Sequence, residues 1–517
     1  MSVFKNLKND FPASIVVFFV ALPLCLGIAL ASGAPLFSGL IAGIVGGIIV
    51  GAISGSKIGV SGPAAGLAAI VFTAIEDLGS LEIFLVAVVL AGIFQVILGI
   101  LKAGVIGYYF PSSVIKGMLT GIGIVIIKKQ IPYFFGHEYA KDVGFLEFFQ
   151  TFDKTNLSSV IIGLVGLFIL ILWQQILSKK GKIFKLIQGP LVVVVVGILY
   201  YIMTSGNAQL ALNSYELVKI PEANSFDSFL NLFTSPDFSE IGNETVWIVA
   251  FTIAIVASLE TLLCVEATDK LDPDKNVTPT NRELVAQGVG NIVSGLIGGL
   301  PITQVIVRSS ANIESGGKSK LSAIIHGFLI LISIIIIPGL LKQIPLSVLA
   351  AILFIVGFKL AKPSTFMNIF KLGWKQFVPF IVTVIGIVFS NLLVGIGLGL
   401  AVGIFVILYK SYQNSHFLHK EGGDNIDGKI KMTLAEEVTF FNKGAILKEL
   451  DGIEKDSFLI LDVSKTRYLD NDIIEILEDF SQKAKTRNIN IQLLSERGTI
   501  ENPDSFIQFF QLRPKTV

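Results

Sequence analysis

Ser61-Gly62-Pro63-Ala64-Ala65-Gly66 and Gly298-Gly299-Leu300-Pro301-Ile302-Thr303-Gln304 each interrupt a long apolar stretch, one in either half of a 517-residue chain. Each breaks the backbone at membrane depth and then opens a new apolar helix. Irregular backbone is tolerated there only where it is buried in protein or lines a cavity. A matched pair of interrupted helices, one per half, points to a transporter's substrate site. A helix start carries unpaired N–H groups and a partial positive charge of roughly +0.5. Two such starts suit an anion, so the pattern reads as a membrane carrier for a small anion.

Composition agrees. Hydrophobic residues make up 52% of the chain and charged residues 15%, against about 25% charged in soluble domains. The charge is unevenly placed, which predicts a transmembrane domain over 1–412, a linker over 413–428 and a soluble cytoplasmic domain over 429–517. The net charge of +1 and the lack of a basic cluster exclude a nucleic-acid footprint. Cys25 and Cys264 both lie in apolar runs, so no disulfide framework is expected. The first apolar run lacks the small-residue cleavage site of a signal peptide and reads as a retained span.

A span needs about 20 apolar residues, fewer for a half-helix. On that criterion spans fall near 12–32, 35–54, 62–76, 82–101, 111–129, 157–178 and 188–204 in the first half. The second half gives 246–268, 284–298, 302–313, 320–338, 345–361, 375–391 and 393–411. Seven plus seven spans make the halves inverted repeats, which fits alternating access. Lys5, Lys8, Lys57, Lys102, Lys179, Lys318, Lys320 and Lys371 gather on one side, and Glu76, Asp77 and the acidic loop 205–245 on the other. The positive-inside rule then puts both termini in the cytoplasm, with the protein multi-pass in the cytoplasmic membrane. Lys128 and Lys129 are the exceptions.

The first break offers no side-chain ligand; its chemistry is backbone N–H and helix dipole, with small residues permitting close approach. In the second, Pro301 is expected to start the helix, with Thr303 and Gln304 in its first turn as donors and Arg308 about one turn later. An Arg inside a membrane helix faces a cavity or a partner unless it snorkels to the surface. The candidate anion-binding set is Gly62, Pro63, Ala64, Ala65, Ile302, Thr303, Gln304 and Arg308. Glu260 lies deep in the apolar run Trp247–Asp269, and Cys264 shares its face four residues on. An intramembrane carboxylate is a functional site by default. Glu260 and Cys264 are the candidate cation-coupling pair, taking up H+ or helping to hold Na+, with a salt bridge from Glu260 to Arg308 as the structural alternative. His326 reads as a packing residue, and His137, His416 and His419 as loop residues. No metal-ligand spacing, nucleophile–base pair or P-loop appears, so neither an enzyme nor a bound cofactor is expected beyond H+ or Na+ as coupling ion.

The tail alternates strands (431–438, 457–463, 489–494) with helices (443–452, 470–485, 503–510), the pattern of a small α/β domain.

Several motifs in order resemble the sulfate permease (SulP) family, which includes the prestin-like anion exchangers. They are Ala21–Ala29, Val60-Ser61-Gly62-Pro63, Asn281–Asn291 and Pro301–Ser309, with Arg308 at the anion-site Arg of the prestin-like branch. Leu461-Asp462-Val463-Ser464 and Tyr468-Leu469-Asp470 resemble a STAS domain. The resemblance implies an all-α membrane domain of fourteen spans in an elevator-type core and gate, with an anion between the third and tenth helices. It also implies a homodimer, and a STAS domain open to a cytoplasmic regulatory protein or the partner protomer. Glu260 matches the acidic coupling position of prokaryotic members, whereas Cys264 replaces a hydroxyl residue of the sodium–bicarbonate carriers. Ala64 and Ala65 stand where some members have Thr. Asn471-Asp472 replaces the Ser-Ser of phosphorylated STAS proteins, so no serine switch is expected. The expected function is symport of bicarbonate or sulfate with H+ or Na+. An anion exchanger, an uncoupled channel and a dicarboxylate symporter are the alternatives.

Overall fold

A computed structural model describes residues 6–104, 111–137, 150, 152–177, 180, 188–206, 210–220, 232–390, 392–413, 416–420, 429–496, 498–503 and 505–511. The chain divides into two compact units, Met1–Leu400 and Ala401–Val517. A helix falls within a few residues of every expected span, all in the first unit except the last, which runs on into the second. These are α1 (Leu7–Ala31), α2 (Leu36–Ile53), α3 (Ala68–Leu78), α4 (Leu81–Ile100), α5 (Ser112–Phe134), α6 (Leu157–Leu177) and α7 (Gly189–Thr204). The second half supplies α8 (Glu244–Leu271), α9 (Thr280–Leu296), α10 (Ile306–Glu314), α11 (Leu321–Ile336), α12 (Leu346–Leu360), α13 (Trp374–Phe389) and α14 (Leu392–Gln413). Among the described residues, seven helices are long and apolar enough to cross a membrane alone.

In lipid, close backbone approach has to replace the hydrophobic drive between helices, and small residues allow it. The tightest pair, α4 with α9, shows this. Gly92 of α4 faces Gly288 of α9, while Gly99 packs on Asn281 and Val285 and Gly295 on Leu85 and Val89. A Cβ on Gly92 would lie 2.6 Å from the Gly288 carbonyl oxygen, and one on Gly288 2.6 Å from that of Gly92. Around this pair pack α1, α2, α8, α10 and α11. A second set, α5 with α12 and α13, and α6 with α7 and α12, packs alongside. Ser80 caps α4 by accepting from Ile83 N at 3.2 Å, and Gly79 closes α3 in the left-handed conformation (φ +75°).

The two breaks depart from the expected helix starts. Ser61–Pro63 forms a strand, β1, and Ile302–Gln304 a strand, β2. They pair antiparallel, with Ser61 opposite Gln304, Gly62 opposite Thr303 and Pro63 opposite Ile302. Pro63 therefore precedes its helix, which opens as a 3-10 turn at Ala65–Leu67. Thr303 and Gln304 are not in a first helical turn, and Arg308 is, because α10 begins at Ile306. The physical reason is pairing. Each break carries backbone groups with no water to meet them, and the partner break satisfies them.

The second unit is a small α/β domain. Strands β3 (His416–Lys420), β4 (Lys429–Leu434), β6 (Phe458–Asp462), β8 (Asn490–Ser495) and β9 (Gly498–Glu501) form one sheet in that order, and β5 (Glu437–Val438) pairs with β7 (Tyr468–Leu469). The central three strands are parallel. Helices α15 (Lys443–Asp451), α16 (Asn471–Thr486) and α17 (Phe506–Gln511) complete it, with Met432, Leu459, Leu461, Leu477, Phe480 and Leu493 in its core. This matches a STAS domain. Strand β3, which also holds His416 and His419, falls in the segment read as linker and loop. The expected strand 431–438 is split into β4 and β5. Asp470 caps α16 by accepting from Asp472 N at 3.2 Å. Asp462 ends β6, accepting from Ser464 Oγ at 2.6 Å and pairing with Lys431 at 3.0 Å. Partial burial works to raise its carboxyl, but the Ser464 donors and the Lys431 ammonium hold it below the usual carboxylate range.

Candidate functional site

The site is built on the paired breaks. Arg308, in the first turn of α10, is fully buried. A helical side chain leans toward its own N-terminus, which brings the guanidinium against β1. A Cβ on Gly62 would collide with Arg308 Nη1, so any larger residue there displaces the guanidinium. Arg308 Nη2 donates to Cys25 Sγ of α1 at 3.3 Å, while Nε and Nη1 have no partner among the described residues. No ion pair joins Arg308 to Glu260 or to any other described carboxylate. Desolvating an unpaired cation costs several kcal/mol, which an anion beside it would offset.

The breaks are held by residues to which the sequence reading gave no role, three of them inside the motif Asn281–Asn291. One face of α9 carries Glu283, Gln287, Asn291 and Ser294, all fully buried. Asn291 accepts from Ile302 N at 2.6 Å and donates to Ile302 O at 3.1 Å, and also donates to Gln95 of α4 at 2.6 Å. Ser294 Oγ donates to Leu300 O at 2.7 Å. Gln287 donates to Ser61 Oγ at 2.7 Å and to Glu283, which accepts from Ser54 Oγ at 2.5 Å. Ser309 Oγ accepts from Val60 N at 3.0 Å, and Val305 N donates to Val60 O at 2.9 Å. The signal was present: polar residues spaced four, four and three apart form one stripe on a helix that is otherwise rich in small residues.

Both half-helix starts face α8. A Cβ on Gly66 would lie 2.6 Å from Glu260 Oε2, so the carboxylate lies against the opening turn of the α3 half-helix. One turn along, the Ile306 N–H points at Cys264 Sγ. Glu260, Cys264, Ala65, Val305 and Ile306 are each partly open, whereas their neighbours Gly66, Gln304 and Arg308 are sealed. The five open residues gather at the two helix starts, and Gly62, Pro63, Ala64 and Ile302 are sealed behind them. Thr303 and Gln304 bond within the protein: the Thr303 hydroxyl donates to Gln304 O at 3.3 Å, and the Gln304 amide donates to Thr268 Oγ1 at 3.2 Å. His326 is buried in α11, its Nδ1 donating to Ala323 O at 2.5 Å, as expected of a packing residue. No group of three or more His, Cys, Asp or Glu able to hold a metal occurs among the described residues.

A bundle of apolar helices with two breaks meeting over an unpaired buried cation defines the class as a multi-pass membrane transporter of small anions. The chain belongs to the sulfate permease family, whose sequence model matches residues 7–383. It is 26% identical to the putative sulfate transporter YvdB of Bacillus subtilis, over 95% of this chain and 92% of that one. It is also 26% identical to the bicarbonate transporter BicA of Picosynechococcus, over 84% of this chain and 76% of that one. The inward-facing structure of the murine Slc26a9 anion transporter superposes with a TM-score of 0.77 at 18% identity, covering 95% of this chain and 86% of that one. That likeness confirms the fold. As expected, the relatives are transporters and not enzymes.

Proposed function

We infer that this protein is a secondary active carrier of a small inorganic oxyanion, bicarbonate or sulfate, symported with a proton across the cytoplasmic membrane. The observation that carries this reading is Arg308, a fully buried guanidinium with two unpartnered nitrogens, set behind two converging helix starts. Arg308 supplies field through Gly62, the helix starts at Ala65 and Ile306 supply N–H donors, and the small residues leave room for a compact anion. The names of the relatives YvdB and BicA support the choice of anions.

Glu260 is the coupling residue. Its carboxylate lies against the opening turn at Gly66, on the very dipole end an incoming anion would use. Protonation withdraws that competing charge, so proton and anion load together, and loss of the proton expels the anion. A helix start and a thiol flank Glu260, a poor donor set for Na+, since hard cations take oxygen ligands. The same reading includes the elevator-type movement, a homodimer, cytoplasmic termini, and a tail engaged by the partner protomer or a regulatory protein.

The test is uptake of labelled bicarbonate and sulfate by proteoliposomes under a H+ gradient, a Na+ gradient, or neither. Uptake should follow the H+ gradient and become insensitive to it in Glu260→Gln. Equal flux without a gradient, unchanged by that substitution, would leave an exchanger or channel. Dependence on Na+ alone would overturn the proton assignment.

A further inference from the structure

Lys128 and Lys129, the exceptions to the loop-charge asymmetry, play no part in the site above, yet they border a cavity of about 470 Å³. Its walls include Phe72, Thr73 and Glu76 of α3, Lys129 and Gln130 of α5, and Thr252 of α8. That volume is within the usual range for small-ligand sites, roughly 300–1,000 Å³. The charges are graded by depth. Glu76, Asp77 and Lys128 are exposed on the rim, Lys129 is half-buried, and Gln130 is fully buried. The rim carries two carboxylates and one ammonium, a net charge of −1; further in, the only charge among the described lining residues is the Lys129 ammonium.

Two observations mark this inner part as built for a ligand. The Lys129 ammonium rests 2.7 Å from the centroid of the Phe72 ring, which orients it without neutralising it as a carboxylate would. No ion pair joins Lys129 to a carboxylate among the described residues. Beside it, both the nitrogen and the oxygen of the Gln130 amide are buried with no partner among the described residues. Buried amides are almost always hydrogen-bonded, so an orphaned one on a cavity wall next to a cation asks for an acceptor. The cavity and the inner site share helices α3 and α8. Thr73 lies seven residues beyond Gly66 in sequence, and Thr252 eight before Glu260, which is roughly 10–12 Å of helix.

We propose that this cavity is a second anion site, where Lys129 and the Gln130 amide hold the oxyanion before it reaches the helix starts beside Glu260. The proposal rests on the anion-carrier reading and deepens it. The rim Lys128 takes no part in holding the ion. The competing account is a latch, in which Lys129 on Phe72 only pins α5 to α3.

Two measurements decide. In proteoliposomes, Lys129→Gln and Gln130→Leu should each raise the KM for sulfate and bicarbonate about fivefold or more, with Vmax within about twofold, while Lys128→Gln changes neither. A changed Vmax at constant KM would establish the latch and overturn the site; unchanged kinetics would also overturn it. In the purified full chain, sulfate or bicarbonate should protect Lys129 from an amine-acetylating reagent, read by mass spectrometry, in the wild type and equally in Arg308→Gln. Unprotected Lys129, or protection lost with Arg308, overturns the proposal. Protection in a protein that moves neither anion would uphold this site and count against the carrier reading alone.

Discussion

The two breaks do the same job with opposite means. Ser61–Gly66 contributes no functional side chain, only backbone and room. The stretch from Gly298 to Arg308 brings the charge, and two of its side chains, Thr303 and Gln304, donate within the protein. Their antiparallel pairing makes the difference intelligible. Each strand satisfies the other's backbone, and glycine at 62 is what lets Arg308 reach across from one to the other. Space on one side is the condition for charge on the other.

That comparison breaks most directly at Gly62. Gly62→Ala puts a Cβ into Arg308 Nη1 and should reduce anion uptake to background. Size-exclusion chromatography of the purified variant checks that the fold survives. Next comes the scaffold. Asn291→Leu strands the Ile302 N–H and C=O, each worth about 1–3 kcal/mol when buried unsatisfied, and should cut Vmax roughly tenfold. Uptake kinetics near wild type would mean that the breaks hold themselves. A sharper contrast is Thr303→Ala. The sequence alone makes Thr303 an anion donor, but its hydroxyl bonds Gln304 O, so it takes no part in holding the anion and uptake should stay within about twofold. A loss as deep as that of Gly62→Ala would return Thr303 to the binding set.

The smallest effect is expected outside both breaks, at Asp462. Its native carboxyl is held low by Ser464 and Lys431, so its stabilisation is complete above the unfolded value of about 3.9 and fades as pH falls through the native value. Asp462→Asn should therefore raise amide exchange in β6 and β8 at neutral pH. The difference from wild type should shrink in acid. Identical exchange at neutral pH would show that the pair contributes nothing.

Much of this was legible in the sequence. Fourteen apolar runs became fourteen helices because composition alone decides which segments can enter lipid. The tail's alternation announced its sheet. Glu260 and Arg308 stood out because charge is rare in such runs. What stayed hidden depended on partners distant in sequence. A three-residue strand has no periodicity to read, so β1 and β2 looked like helix starts. β3 was passed over because its partner, β4, lies beyond a polar stretch. Arg308 and Glu260, each an obvious counter-ion for the other, are not paired, since one sits behind Gly62 and the other beside Gly66. Only the packing of α1 and α8 around the breaks separates them.

The central claim is that the anion's counter-charge is Arg308, acting across the paired breaks. Calorimetric titration of the purified protein with sulfate and bicarbonate tests it most directly, comparing wild type with Arg308→Gln. The account predicts at least about tenfold weaker binding in the variant, that is 1.4 kcal/mol or more, while Thr303→Ala binds as wild type does. Equal affinity in wild type and Arg308→Gln would contradict it.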